Sequence, residues 1–365
     1  MKKFQAAKYG TEQSHYDKIG NRKGVIAQWE DGYRTGGAEG TFEWWYFDSR
    51  LNDGSSMVIF FYSKEPFNAK KSLHPHATFE FITPDGKKIT RIAEIPLDQF
   101  RCSKEKCDIH VGPCYMTGNL KEYTIHFEKD DVVADIKLTG KVPAWRKGNG
   151  DVYFGDQEED YFAWLPAIPA GTVEAEITMD GVKKSYTGTG YHDHNWGNTN
   201  MSNLVHHWYW GRAAVGKYNV ISVNFICEKK YGYVPLSCFL LAEDNQIVFE
   251  EEKDEYLTFT TQDEYIDELT GKPVSNILIY DYDDGQKHYR VTYKRKSDIA
   301  KVNMVDLLNP VEKAIAKSFG FNGSYLRFVG EVTVDKFEDG KIVDSATESS
   351  AVWELMYFGN PIANM

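Results

Sequence analysis

The sequence predicts an all-β protein made of two similar antiparallel β domains. Three observations carry that prediction: strand-period alternation, hairpin turns spread along the chain, and an internal echo. Tyr123, Ile125 and Phe127 alternate with Thr124 and His126, and Val173, Ala175 and Ile177 alternate with Glu174, Glu176 and Thr178. That period of two belongs to strands with one buried face. Turn signals stand at Asn52-Asp53-Gly54, Thr83-Pro84-Asp85-Gly86, Asp283-Asp284-Gly285 and Glu338-Asp339-Gly340. Short strands closed by such turns make a sandwich or a barrel. The echo is Trp45-Tyr46-Phe47 against Trp208-Tyr209-Trp210, an offset of 163 (208 − 45). At the same offset Met57-Val58-Ile59-Phe60 falls on Val220-Ile221-Ser222-Val223, so a duplication is expected, with Trp45 and Trp208 at corresponding places.

Residues 1–35 are polar and weakly patterned and read as an N-terminal arm. An N-terminal domain is expected over 36–185 and a C-terminal domain over 186–365. Within the first, the apolar run Met57–Tyr62 follows its Asp-Gly turn as a strand. Within the second, Val291 and Tyr293 continue a strand after the turn at 283–285. One helix is predicted near the C-terminus: Asn309 caps it, Pro310 takes the first position, Glu312 the third, and Gly320 ends it. The run Glu250-Glu251-Glu252 reads as a solvated turn.

The charge balance narrows the partners. With 42 basic and 54 acidic residues the net charge is −12, which disfavours nucleic acid and anionic membrane surfaces. No apolar run reaches the ~20 residues of a membrane helix. The opening segment is charged without an apolar stretch, and 5 cysteines are few, so a cytoplasmic protein with reduced thiols is expected. Aromatic residues make up 15%, enough to line a large apolar cavity or simply to furnish aromatic sheets.

Two segments hold the chemistry. In Glu43-Trp44-Trp45-Tyr46-Phe47-Asp48, alternate residues share a face, and a carboxyl beside indoles has its anion disfavoured. A core strand is the competing reading. In Gly190-Tyr191-His192-Asp193-His194-Asn195-Trp196-Gly197, Tyr191, Asp193 and Asn195 face one way and His192, His194 and Trp196 the other. A polar junction between domains is the bland alternative. These groups fit a protonated carboxyl or imidazolium acting on an alkene or enol. They also fit a metal held by His192, His194 and His206 or His207, or a pocket that only holds a ligand. A third ligand at a diagnostic spacing is lacking, so no metal is expected there, nor at Cys102, Cys107, His110 and Cys114. No Gly-x-Gly-x-x-Gly, Walker A or Gly-x-Ser-x-Gly sequence occurs.

The two segments, in this order and followed by Trp353-Glu354-Leu355-Met356-Tyr357-Phe358-Gly359, resemble the lipocalin-like family of carotenoid hydratases (hydroxyneurosporene synthases), AttH-like proteins and fungal Diels–Alderase-type pericyclases. The resemblance covers roughly residues 36–360. It implies two lipocalin-like antiparallel barrels and no organic cofactor. It also implies that Tyr191 and Asp193 match residues tied to proton delivery in the hydratase branch. That branch places a His two residues before an upstream Trp, whereas here Phe162-Ala163-Trp164 keeps only the Trp.

The expected function is therefore a cofactor-independent enzyme acting on a hydrophobic terpenoid or polyketide-like alkene or enone. The reaction is hydration, dehydration, isomerisation or cyclisation. Asp193 is the expected general acid, Tyr191 orients it or positions water, and His192 or His194 sets the proton inventory. Glu43, Trp44, Trp45, Trp164, Trp196, His207 and Tyr209 are the expected substrate-binding residues. The rival is a non-catalytic lipocalin-type binding protein.

Overall fold

The computed structural model describes residues 4–248, 253–308, 310, 313 and 321–362. Of the helix predicted over 309–320 only Pro310 and Lys313 are described, and the 250–252 acidic run lies outside the described residues. Two compact units divide the chain: Lys8–Met201 form one, and Ser202–Met365 with Met1–Ala7 form the other. Among the described residues, no helix is long and apolar enough to cross a membrane.

The first sheet carries β1 (Ala7–Tyr9), β2 (Phe42–Leu51), β3 (Ser56–Lys64), β4 (His76–Ile82), β5 (Lys88–Glu94), β6 (Phe100–Cys102) and β7 (Asp108–Val111). It continues with β8 (Cys114–Gly118), β9 (Glu122–Lys129), β10 (Val132–Gly140), β11 (Asp151–Phe154), β12 (Asp160–Met179) and β13 (Val182–Gly197). Their order across the sheet is β5-β4-β3-β2-β13-β12-β10-β9-β8-β7-β6, with β1 and β11 off this path. The C-terminal unit carries β14 (Val205–Val215), β15 (Tyr218–Cys227), β16 (Pro235–Glu243), β17 (Gln246–Ile247), β18 (Leu257–Ile266), β19 (Pro273–Asp283), β20 (His288–Asn303), β21 (Ser324–Glu338) and β22 (Lys341–Tyr357). Their order is β17-β16-β15-β14-β22-β21-β20-β19-β18.

The two orders share one plan: a four-strand meander whose first strand lies against the unit's last strand. Each sheet curls around its own core. Phe79 on β4 stacks on Phe127 of β9 at 5.2 Å although β3, β2, β13, β12 and β10 lie between them in the sheet. Phe239 on β16 stacks on Tyr280 of β19 at 6.2 Å across β15, β14, β22, β21 and β20. A sheet whose distant strands touch through their inner side chains has closed on itself in the lipocalin-like manner.

The expected boundary at 185/186 falls inside β13, and β13 belongs wholly to the N-terminal unit. No linker stands there: Met179 pairs with Val182 across a two-residue turn whose Asp180 and Gly181 both have positive φ. Residues 8–35, read as an arm, are also part of that unit. They hold the helix α1 (Gln13–Ile19) and a 3-10 turn at Gln28–Asp31 whose Glu30 and Asp31 are buried.

The echo holds in one strand and slips in the next. Met57 and Val220, matched at 163, both lie in their cores. Trp45 is in the core, however, while Trp208 faces outward and Tyr209 takes the inward place. The hairpins differ: β2–β3 pairing ends at Arg50↔Ser56, whereas β14–β15 runs to Val215↔Tyr218. An odd change in hairpin length reverses every side chain of one strand.

Gly188 shows how closely β13 lies against β2. A Cβ there would stand 2.2 Å from the Arg50 carbonyl oxygen, a backbone atom that cannot step aside. Gly188→Ala is expected to lower stability by about 1–3 kcal/mol, the scale of overpacking, read from the denaturant midpoint.

Candidate active site

β13 brings the titratable groups together and then sorts them onto two faces. On the core face lie His192 and His194, both fully buried. His192 Nδ1 bonds the Tyr46 carbonyl at 2.8 Å, and that oxygen can only accept, so Nδ1 carries a proton. Its Nε2 meets Asp31 Oδ2 at 3.2 Å. His194 Nε2 meets Glu43 Oε1 at 2.9 Å, and its Nδ1 stands 3.6 Å from Asp31 Oδ1. Tyr123 donates its hydroxyl to Asp31, and Trp45 Nε1 donates to the Asp31 carbonyl at 3.0 Å. Glu43 further accepts from the backbone N–H groups of Arg34 (2.7 Å) and Thr35 (2.8 Å). Burial works against charge on His192, but the Asp31 charge and hydrogen bond, with the Tyr46 carbonyl, hold its pKa above the ordinary value.

This face is a lock that fastens residues 31–35 to β2 and β13. It corrects the expectation for five residues. His192 and His194 do not join Asp193, and Glu43 and Trp45 are sealed in the core, with Trp45 stacked on His194 at 4.3 Å. Trp196 leans on His194 at 4.6 Å on that same face. The physical reason is strand alternation: residues one apart in a strand point to opposite sides. His192, Asp31 and Cys107 offer one metal-ligating atom each within 4.8 Å; His192 Nε2 is bonded to Asp31 Oδ2 and Cys107 Sγ to the Met116 carbonyl. His207 and Tyr209 belong to the C-terminal unit. There His207 stacks on Tyr357 at 4.4 Å, and burial, His206 and Lys272 push its pKa down to about 3. Tyr209 is a core residue whose hydroxyl accepts from the Ser275 N–H.

The outer face of β13 is different. Asp193 Oδ2 accepts from Tyr191 Oη at 2.7 Å and from Trp164 Nε1 at 2.8 Å, and Oδ1 accepts from Asn195 Nδ2 at 2.7 Å. Asp193 is 6% exposed, and Tyr191 is fully buried. Around them stand the partly exposed rings of Trp44, Tyr46, Phe60, Phe162 and Trp164. Burial raises the Asp193 pKa to about 6, against the opposing pull of Trp164, Tyr191, His192 and Asn195. With Oδ2 holding two donors and Oδ1 one, the proton of the neutral acid rides on Oδ1. The arrangement is a carboxyl whose pKa burial raises toward neutrality, beside aromatic faces of the kind that attract a cation.

Asp48 adds a second carboxyl to this face. It lies opposite Tyr191 in the β2–β13 register, as Tyr46 lies opposite Asp193, and Tyr46 Oη donates to Asp48 Oδ2 at 2.9 Å. Asp48 and Tyr46 stand in the same segment as Glu43 and Trp45, but one residue out of phase with them, and this was the signal available in the sequence. Asp31 had none, because it comes from an unpatterned stretch.

Tyr191→Phe removes a donor that favours the carboxylate. The Asp193 pKa is expected to rise further, moving the falling limb of a pH–rate profile to higher pH. A limb that stays in place or moves down would show that this hydroxyl does not govern the acid.

Fold and site together define a class: an all-β protein of two curled antiparallel sheets, with a buried, donor-held acid on the outer face of the first. The chain belongs to the Diels-Alderase-like family, whose profile matches residues 38–274. It is similar to the quinolone epoxide rearrangement protein asqO of Emericella nidulans, at 25% identity over 177 residues, 48% of this chain and 46% of that protein. It is also similar to the Diels-Alderase cheD of Chaetomium globosum, at 23% identity over 220 residues, 57% of this chain and 51% of that protein. The chain thus spans about half the length of these curated relatives. Among solved structures, kievitone hydratase from Nectria haematococca has the same fold. Its TM-score is 0.53 at 13% identity, over 97% of this chain and 98% of that one. The lipocalin-like family expected from the sequence motifs is the family found.

Proposed function

We propose that this protein is an enzyme that uses Asp193 as a general acid on a hydrophobic small molecule, a terpenoid or polyketide-like alkene or enone. The observation that carries this reading is the Asp193 carboxyl, buried on the outer face of β13 and bonded to Tyr191, Trp164 and Asn195 among partly exposed aromatic rings. Protonation breaks the Oδ1–H bond and forms a C–H bond on the alkene, or an O–H bond on the enone. The electron pair left on Asp193 is held by three N–H or O–H donors already in place, so little reorganisation is needed. The cation faces Trp164 and Tyr46, a contribution of about 0.5–2 kcal/mol per ring. Water capture with return of its proton to Asp193 completes a hydration. Loss of a neighbouring proton to Asp193 completes an isomerisation. Capture by a second double bond, followed by loss of a proton to Asp193, completes a cyclisation. Protons and water balance each route, so no redox cofactor enters.

Tyr191 acts through Asp193 and is a positioning residue. The relatives' names, a Diels-Alderase, an epoxide rearrangement protein and a hydratase, support cyclisation, rearrangement and hydration as the range of reactions. The net charge of −12 supports a neutral ligand over nucleic acid, and free cysteines at 102, 107, 114, 227 and 238 support a reducing, cytoplasmic setting.

The test is incubation in deuterium oxide with a panel of conjugated enones and terminal isoprenoid alkenes, read by mass and chromatographic retention. Deuterium on carbon, gain of water, or a new cyclic isomer is expected from the wild type and not from Asp193→Asn. Turnover by Asp193→Asn in proportion to its folded fraction would sink the assignment.

A further inference from the structure

The register of the two sheets matches one unit to the other residue by residue. Tyr46 lies opposite Asp193, and Trp210 lies opposite Glu354. On the other flank, Trp164 lies opposite Asn195 and Tyr325 opposite Met356, each two residues beyond the carboxylate. Setting Tyr46 on Trp210 therefore sets Trp44 on Trp208, Asp48 on Arg212, Asp193 on Glu354 and Trp164 on Tyr325. The offset is 164 (210 − 46), one more than the sequence echo, and it restores the facing of every side chain in β14.

One hydrogen-bonding place repeats with the positions, and the second donor comes from a different place in each unit. Glu354 Oε1 accepts from Trp208 Nε1 at 3.1 Å, and Oε2 accepts from Tyr325 Oη at 2.9 Å. As at Asp193, an indole N–H and a phenol O–H hold one carboxylate on the outer face of the strand that completes the sheet. Trp164 and Tyr325, at matched places, both donate to it. We infer that the outer face of the C-terminal sheet is a second ligand site, built on Glu354 and walled by Trp208 and Trp210.

The differences set its chemistry. Val352 stands where the first unit has Tyr191, and Glu354 is partly exposed where Asp193 is buried. A carboxylate in contact with water is an acceptor and not a proton source, so this site binds and does not transfer a proton. Trp208 and Trp210 are also partly exposed, and the edge of Phe358 meets Trp208 at 5.2 Å. The ligand class that fits is a flat conjugated molecule whose end carries an O–H or N–H to donate to Glu354. A ligand with only acceptors, an ether or a ketone, gains nothing from the carboxylate.

The competing role is a brace, in which Glu354 only fixes Trp208 and Tyr325. The experiment uses two probes of one shape, 2-naphthol and 2-methoxynaphthalene, titrated into the whole wild-type chain. Binding is followed at the indole N–H resonance of Trp208, assigned by its loss in Trp208→Phe. On the site reading, 2-naphthol moves that resonance and binds about 10–100-fold tighter than its methyl ether, the scale of a hydrogen bond to a charged acceptor. Glu354→Gln brings the two affinities within about threefold, while Asp193→Asn leaves the preference in place. Equal affinity of the two probes for the wild type overturns the inference, as does a Trp208 resonance that neither probe moves. A preference that survives Glu354→Gln, with only a lower melting temperature, establishes the brace. The wild-type comparison stands without any variant. Because it measures binding and not turnover, its failure leaves the Asp193 chemistry standing.

Discussion

Asp193→Asn is expected to cut turnover by about 10²–10⁴-fold, the usual contribution of a positioned general acid, with ligand affinity nearly unchanged. The amide keeps the shape of the acid. Its oxygen can take the Tyr191 and Trp164 donors, and Asn195 turns its own oxygen toward the new NH₂ group. What is lost is the transferable proton. The stability of this variant separates an acid from a plain acceptor. Burial raises the folded Asp193 pKa from 3.8 to about 6, so the folded state binds this proton more tightly than the unfolded chain does. The resulting stabilisation is fully present below pH ~4 and is lost as pH rises through about 6, an order of about 2–3 kcal/mol at ~1.4 kcal/mol per pH unit. At pH 8 the wild type carries a buried anion, so Asp193→Asn should melt at an equal or higher temperature than the wild type. At pH 4 it should have no advantage. A clear loss of melting temperature at pH 8 would mark Asp193 as an ionised structural acceptor. Activity of the wild type should fall as pH rises above about 6, as the acid loses its proton.

The second large effect is on stability. Glu43→Ala is expected to cost about 3–5 kcal/mol, the scale of leaving several buried donors without their acceptor. His194 Nε2 loses its partner at a fully buried position, and so do the backbone N–H groups of the partly buried Arg34 and Thr35. The segment at 31–35 should come loose from β2, and with it Asp31, the partner of His192. Denaturant unfolding measures the loss. Proteolysis near residues 31–35 should accelerate in the variant, because that stretch is held mainly by the lock. A change below about 1 kcal/mol would mean that the pair contributes no more than an exposed one.

Much of this was legible in the chain. Alternating apolar residues and Asp-Gly turns write an antiparallel sheet directly, and Tyr191 with Asp193 was legible as a pair because residues two apart share a face. The alternation that united them also separated His192 and His194 from them, and the sequence could not say which of the two faces was the core. That depends on what lies across β13: Tyr123 from β9 and Asp31 from the first 35 residues, brought in by tertiary packing without a local pattern. The expected boundary at 185/186 lies inside β13, and the period-two pattern of a strand does not say which of two similar sheets it joins. The duplication was visible at an offset of 163 but slipped by one residue in β14, since a hairpin of different length moves a strand's phase and leaves its composition intact.

The two-faced strand β13 also bears on how this protein can diversify. Its even-numbered residues, His192 and His194, are pinned from within by Asp31 and Glu43, so the backbone beneath Asp193 is a fixed rail. Evolution toward a new substrate would then leave that rail alone and exchange the rings beside it, Trp44 and Tyr46 on β2, Phe162 and Trp164 on β12, and Phe60 one strand further on β3. A lineage of such proteins should vary first at those five positions, with the acid held in one place while the walls around it are rebuilt.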